Sequence, residues 1–159
     1  RVRKLDEEMC PEVPAPALGH VLTALWDVLA QRGPTAAALR WFEWTMLTAA
    51  GSSPVIDACV RCGQASAARP ALIFSVRAGG VMCATCAATE RGSGTLAIST
   101  DAVSYLSRVI SAASVHDAAS LDAFVAKADR VMARDAMTGM VEALVGHRLR
   151  ALEFLYQLA

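Results

Sequence analysis

The sequence has no excess of charge of either sign: 15 basic residues are matched by 15 acidic ones. Strong non-specific binding to nucleic-acid phosphates normally needs a basic surplus on one face, so the balance argues against it for this chain alone. Lysine is scarce. Only Lys4 and Lys127 occur, against thirteen Arg. Arg is the better bidentate clamp for carboxylate or phosphate, although a plain compositional bias explains the preference as well. Long apolar runs are missing too. A membrane span needs about 20 apolar residues in a row, whereas the longest uncharged stretches, residues 13–26 and 44–56, are broken by Pro, Gly or His. The opening RVRKLDEEMC carries no secretory apolar core. It also carries no initiating Met, as expected of a processed chain or a piece of a longer one. No Ser or His falls in a recognisable nucleophile–base arrangement, which leaves an enzyme without support.

What is present is apolar and periodic. With 55% hydrophobic and 19% charged residues, the 159-residue chain is no disordered segment. It is long enough for one core with a small satellite lobe. Residues 1–16, with three prolines in LDEEMCPEVPAP, read as a linker. Over residues 17–31, Leu18, Val21, Leu22, Leu25, Trp26 and Leu29 recur at helical spacing, and Gly33-Pro34 ends the pattern. Thr35 is the expected N-cap of a second helix running through Ala50 and stopped by Gly51. Residues 56–91 show no helical period but hold two extended candidates, LIFSV and GVMC, across an RAGG turn. Helices resume at Thr100. A long pattern then runs from Leu121 to a C-cap at Gly146, and LRALEFLYQLA closes the chain. The expectation is a mainly α fold: a helical domain over 17–159, with a cysteine lobe containing a short β-hairpin inserted at about 56–91.

The chemistry lies in CVRCG, from Cys59, and CATC, from Cys83: two Cys-x2-Cys pairs separated by twenty residues. Tetrahedral zinc takes four thiolates, and a two-residue gap lets one tight turn present two of them. Gly63 adopts the positive φ of such a turn cheaply. A disulfide framework fits poorly with Cys10 as a fifth cysteine and no export signal. A redox pair would need a βαβ setting. A catalytic zinc usually recruits His, yet His20, His116 and His147 are all distant from the pairs in sequence. The expectation is one closed, structural zinc on Cys59, Cys62, Cys83 and Cys86, with Cys10 uninvolved. Such a metal staples a lobe of about 30 residues that is too small for its own core. Arg61, Arg69 and Arg77 are expected to damp its thiolate charge.

The runs FEWTMLTAAGSSPVIDACVRCG and FSVRAGGVMCATC, with the closing LVGHRLRALEFL, resemble the C-terminal part of the bacterial recombination mediator RecO family. The likeness is close over residues 36–86, fair at the C-terminus, and by pattern only between them. It implies DNA repair and recombination: annealing of single strands, and recombinase loading with RecR onto DNA coated by the single-stranded-DNA-binding protein, in the cytoplasm at the nucleoid. It also implies an N-terminal OB barrel. Nothing before Ala17 reads as five alternating strands, so that barrel is expected to be missing here and binding to single-stranded DNA to be weak. In the family, the acidic, apolar-ended tail of the single-stranded-DNA-binding protein docks on the helical part. Arg40, Trp41, Phe42, Trp44 and Leu47 are the candidates for that contact, Arg40 for the carboxylates and the aromatics for a groove wall. The alternative is that the aromatics are core and Arg40 pairs with Glu43 or Asp27. For DNA, Lys127, Arg130 and Arg134 fall at i, i+3 and i+7 on one helical face, with Asp129 and Asp135 interleaved as on an ordinary solvated face. Two other readings stay open: a zinc-stabilised protein–protein interaction module unrelated to recombination, and a small zinc-stabilised regulator of duplex DNA, which the balanced charge disfavours.

Overall fold

A computed structural model of the chain describes residues 15–69, 71–90 and 94–146. Two helices come first. α1 (Ala15–Arg32) ends where Gly33 turns to φ +76° and donates its N–H to the Leu29 carbonyl at 3.1 Å. α2 (Ala36–Ala49) begins at Thr35, whose Oγ1 accepts from the Ala38 N–H at 3.2 Å. Three short strands follow, β1 (Leu72–Ser75), β2 (Gly80–Cys83) and β3 (Thr95–Ile98), with the one-turn helix α3 (Ala84–Ala87) after β2. α4 (Thr100–Ile110) is capped by Ser99 and leads through the short α5 (Val115–Ala118) to α6 (Lys127–Val145), which Gly146 closes in the left-handed conformation. No helix among the described residues is long and apolar enough to cross a membrane.

The sheet is antiparallel in the order β2-β1-β3, pairing Leu72 with Cys83 and with Ile98. β1 and β2 are the two extended segments expected on either side of RAGG. β3 is additional. Its TLAI is half exposed and buries only Ile98 fully, so it carries little strand signal by itself.

Packing joins the strands to the helices. Leu72, Phe74, Val81 and Ile98 share one core with Leu47 of α2, Val103, Leu106 and Val109 of α4, and Met137 and Met140 of α6. The cysteine lobe is therefore less of a satellite than its sequence implies. One face of its sheet belongs to the main core, where each large apolar side chain contributes about 1.5–3 kcal/mol, and a small cluster of Cys59, Met82 and Cys83 lies apart. α6 passes so close to the turn after β1 that a Cβ at Gly139 would stand 2.8 Å from Val76 Cγ2. Gly80, at φ +155°, passes the Val55 backbone so closely that a Cβ there would lie 2.2 Å from the Val55 carbonyl oxygen.

One helical expectation fails. The pattern from Leu121 does not run as a single helix: residues Leu121–Phe124 form a 3-10 turn, Ala126 is extended at ψ 145°, and α6 starts afresh. Asp122 explains the break. Its carboxylate accepts the Ala37 N–H at the start of α2 (3.1 and 3.2 Å) and the Tyr105 hydroxyl of α4 (2.6 Å). Burial, followed by that acceptor, pushes the Tyr105 phenol well above its ordinary value. Cys10, the expected linker up to residue 14 and the closing segment after Gly146 lie outside the described residues.

Candidate metal centre and basic cleft

Two turns deliver the cysteines. In the first, the Gly63 N–H closes on the Cys59 carbonyl and the Cys59 N–H on the Gln64 carbonyl, both at 2.8 Å. Gly63 makes this possible at φ +71°. In the second, β2 ends at Cys83 and α3 brings Cys86 round by one turn. The Val60 N–H donates to the Val81 carbonyl at 2.9 Å and so ties the first turn to β2. The structure brings the four candidate ligands together, with their sulfurs all within 4.8 Å of one another and Cys62 Sγ 3.9 Å from Cys83 Sγ. A tetrahedron with metal–sulfur bonds of about 2.3 Å has edges of about 3.8 Å, whereas a disulfide needs about 2.05 Å. The spacing fits four separate thiolates around one ion.

The cluster divides its protons unevenly. Burial acts to raise the Cys59 thiol, but the backbone N–H groups of Cys62, Cys83 and Arg61 outweigh it and bring it down to about 6. The Cys86 backbone N–H, first among several causes, lowers Cys83 as well. Cys86 moves the other way, up to about 12, because it donates its hydrogen bond to Cys83 and is desolvated. Backbone dipoles thus favour negative charge at this spot before any cation arrives. Arg61 and Arg77, expected to damp the thiolates, both pair with Glu90 instead, at 3.1 and 3.2 Å. That carboxyl is held below its ordinary value, chiefly by the Arg61 hydrogen bond.

A second feature lies between α2 and α6. Ala36, Leu39 and Arg40 face Lys127, Arg130, Val131 and Arg134 across a cleft of about 100 Å³. Two sets of candidates that the sequence offers to different ligands meet here: Arg40, for a partner's carboxylates, and the Lys127, Arg130 and Arg134 stripe, for DNA. The other partner candidates do not line it. Trp41 donates its indole N–H to the Ala112 carbonyl at 3.1 Å. Trp41 and Phe42 pack against Leu25, Val28 and Val115, Trp44 packs on the main core, and Leu47 is wholly inside it. Trp41 and Phe42 leave α2 on other sides, while Trp44 and Leu47 lie one to two turns further along the side that carries Arg40, so the expected aromatic wall does not border the cleft.

Arg40 itself is buried and doubly engaged. Its Nε and Nη2 donate to the two Glu43 carboxylate oxygens at 2.6 and 2.7 Å, which is the pairing left open as the alternative. Arg134 pairs with Asp135 at 2.8 Å, and Arg130 donates to the Asp122 backbone carbonyl at 3.5 Å. Lys127 is exposed. The apolar members of the cleft, Leu39 and Val131, read from sequence as ordinary core positions of two separate helices. Only the packing of α2 against α6 brings them to one cleft.

Comparison with known proteins follows the same direction. The family model described as recombination protein O C terminal matches residues 6–153. A DNA repair protein RecO of Anaeromyxobacter sp. (strain K) is 36% identical over 142 residues, and one of Syntrophomonas wolfei is 28% identical over 103. These matches cover 89% and 65% of this chain but 54% and 39% of the relatives. The chain spans about half the length, or less, of the curated relatives it matches. No solved structure matches it significantly.

Proposed function

This chain belongs to the RecO family of DNA repair proteins, and from that premise we propose that it is the helical, zinc-bearing part of a recombination mediator. In this reading it serves single-strand annealing and recombinase loading in the cytoplasm, with RecR and the single-stranded-DNA-binding protein as partners. Cys59, Cys62, Cys83 and Cys86 hold one zinc. With all four positions filled by protein sulfur, that ion contributes folding energy and leaves no open position for chemistry.

The observation that carries the reading is the cleft between α2 and α6. An acidic, apolar-ended tail needs cations for its carboxylates and an apolar surface for its last side chain. Lys127, Arg130 and Arg134 meet the first need, and Leu39 and Val131 the second. The docking site therefore moves from the aromatic side of α2 to its junction with α6, and Arg40 supports the wall through Glu43. Anisotropy titration of a fluorescent peptide copying that tail tests the assignment. Lys127→Glu combined with Arg134→Glu should weaken binding about tenfold or more, on the order of 1.5–3 kcal/mol. If the folded double variant binds the peptide as tightly as the unaltered chain, the tail docks elsewhere.

A further inference from the structure

The four sulfurs of the candidate metal centre are unequally covered. Cys59 and Cys83 are each 3% exposed and Cys86 is half-buried, whereas Cys62 is exposed. A small oxidant entering from solvent therefore meets Cys62 first. Zinc ligation keeps cysteine deprotonated, and the thiolate is the form that oxidants attack. Cys83 Sγ lies 3.9 Å from Cys62 Sγ. The turn that carries Cys62 and the strand that ends in Cys83 are already joined, by the Val60 N–H to the Val81 carbonyl at 2.9 Å. Bringing these two sulfurs to bonding distance therefore asks for little backbone movement.

We propose, resting on the zinc assignment above, that Cys62 is a peroxide-sensitive modification site and that Cys83 resolves it. The Cys62 thiolate attacks one oxygen of hydrogen peroxide, the O–O bond breaks and hydroxide leaves, so Cys62 becomes a sulfenic acid. The Cys83 thiolate then attacks the Cys62 sulfur. An S–S bond replaces the S–O bond, and a second hydroxide leaves. Two thiolates have given up two electrons, the peroxide has taken them, and two protons from solvent turn the hydroxides into water. Only Cys59 and Cys86 remain as ligands, too few to hold the ion. The cysteine loop loosens, but the sheet face that Leu72, Phe74 and Val81 give to the main core stays buried. A dithiol, oxidised to its own disulfide in the exchange, and fresh zinc therefore restore the site.

Hydrogen peroxide added to the zinc-loaded chain tests the site. A colorimetric zinc chelator should report release of the ion in step with the loss of thiols. Tryptic mapping after alkylation should find Cys62 joined to Cys83, and dimedone present during the oxidation should label Cys62 first. Cys62→His keeps a metal ligand without the oxidisable sulfur, and should slow release about tenfold or more. Cys86→His, at the half-buried sulfur, should release nearly as fast as the unaltered chain. A bond between another pair, first labelling elsewhere, or equal release from Cys62→His overturns the proposal. So does a chain that keeps its zinc in peroxide, and in each of these cases the zinc assignment stands. If the unaltered chain binds no zinc at all, that assignment falls and the peroxide site with it.

Discussion

Glu43, 3% exposed, holds Arg40, 1% exposed, through two short bonds on the inner side of α2. Buried charges of this kind persist only as a pair, because deleting one leaves the other where water cannot reach it. Glu43→Ala should cost about 3–5 kcal/mol in urea unfolding, whereas Arg40→Met together with Glu43→Leu should cost far less. Losses that simply add would show that the two are not coupled. For the same reason Arg40→Ala is a poor probe of partner binding, since it disturbs the fold first. At the candidate metal centre, Cys62→Ser should leave less than one zinc per chain and lower the melting temperature. Full zinc content with an unchanged melt would remove Cys62 from the site. The thiol of Cys86 keeps its proton up to about 12 without metal. Zinc binding near neutral pH must therefore expel protons, and zinc affinity should climb as pH rises. Calorimetry in buffers of different ionisation enthalpy reads that release, and an identical heat in all of them would refute it.

Elements that announce themselves in the sequence do so through local physics. α1, α2 and α4 each show one apolar face, and the ends of the first two are written in Gly33, Thr35 and Gly51. The cysteine pairs are legible for a similar reason, because two residues between ligands is a property of one turn. What stays hidden is tertiary. TLAI becomes β3 only by pairing with β1, the turn at Leu121–Phe124 exists because Asp122 is drawn to Ala37 and Tyr105, and the cleft joins residues distant in the chain. β2 offers a test at this level. Gly80→Ala combines a backbone conformation disfavoured for L residues with contact against Val55, and should cost about 3 kcal/mol or more. It should also loosen the cysteine loop, because the Val81 N–H bonds to the Val55 carbonyl at 2.8 Å. Gly51→Ala, at φ +68° with open space around it, should cost only about 1 kcal/mol. Similar losses at both sites, measured by denaturant unfolding, would discount the contact.

The molecule as a whole is electrically balanced, and that limits what it does with DNA by itself. Three cations on one face of α6 correspond to a slope of about −2 in the logarithm of single-strand affinity against that of salt. Binding should be weak at physiological salt, and a much steeper slope would reveal a basic surface beyond the cleft. α2, α4, α6 and the cysteine lobe share one core, and α6 borders the cleft while also resting on β3 and on Val76, the residue after β1. At that seat Gly139 leaves no room for a methyl group beside Val76. Positions 76 and 139 are therefore expected to behave as a single inherited character. A lineage that acquires a side chain at 139 must shed bulk at 76, and related sequences should change the two in step. In the laboratory, Gly139→Ala alone should unfold more readily than Gly139→Ala made together with Val76→Ala.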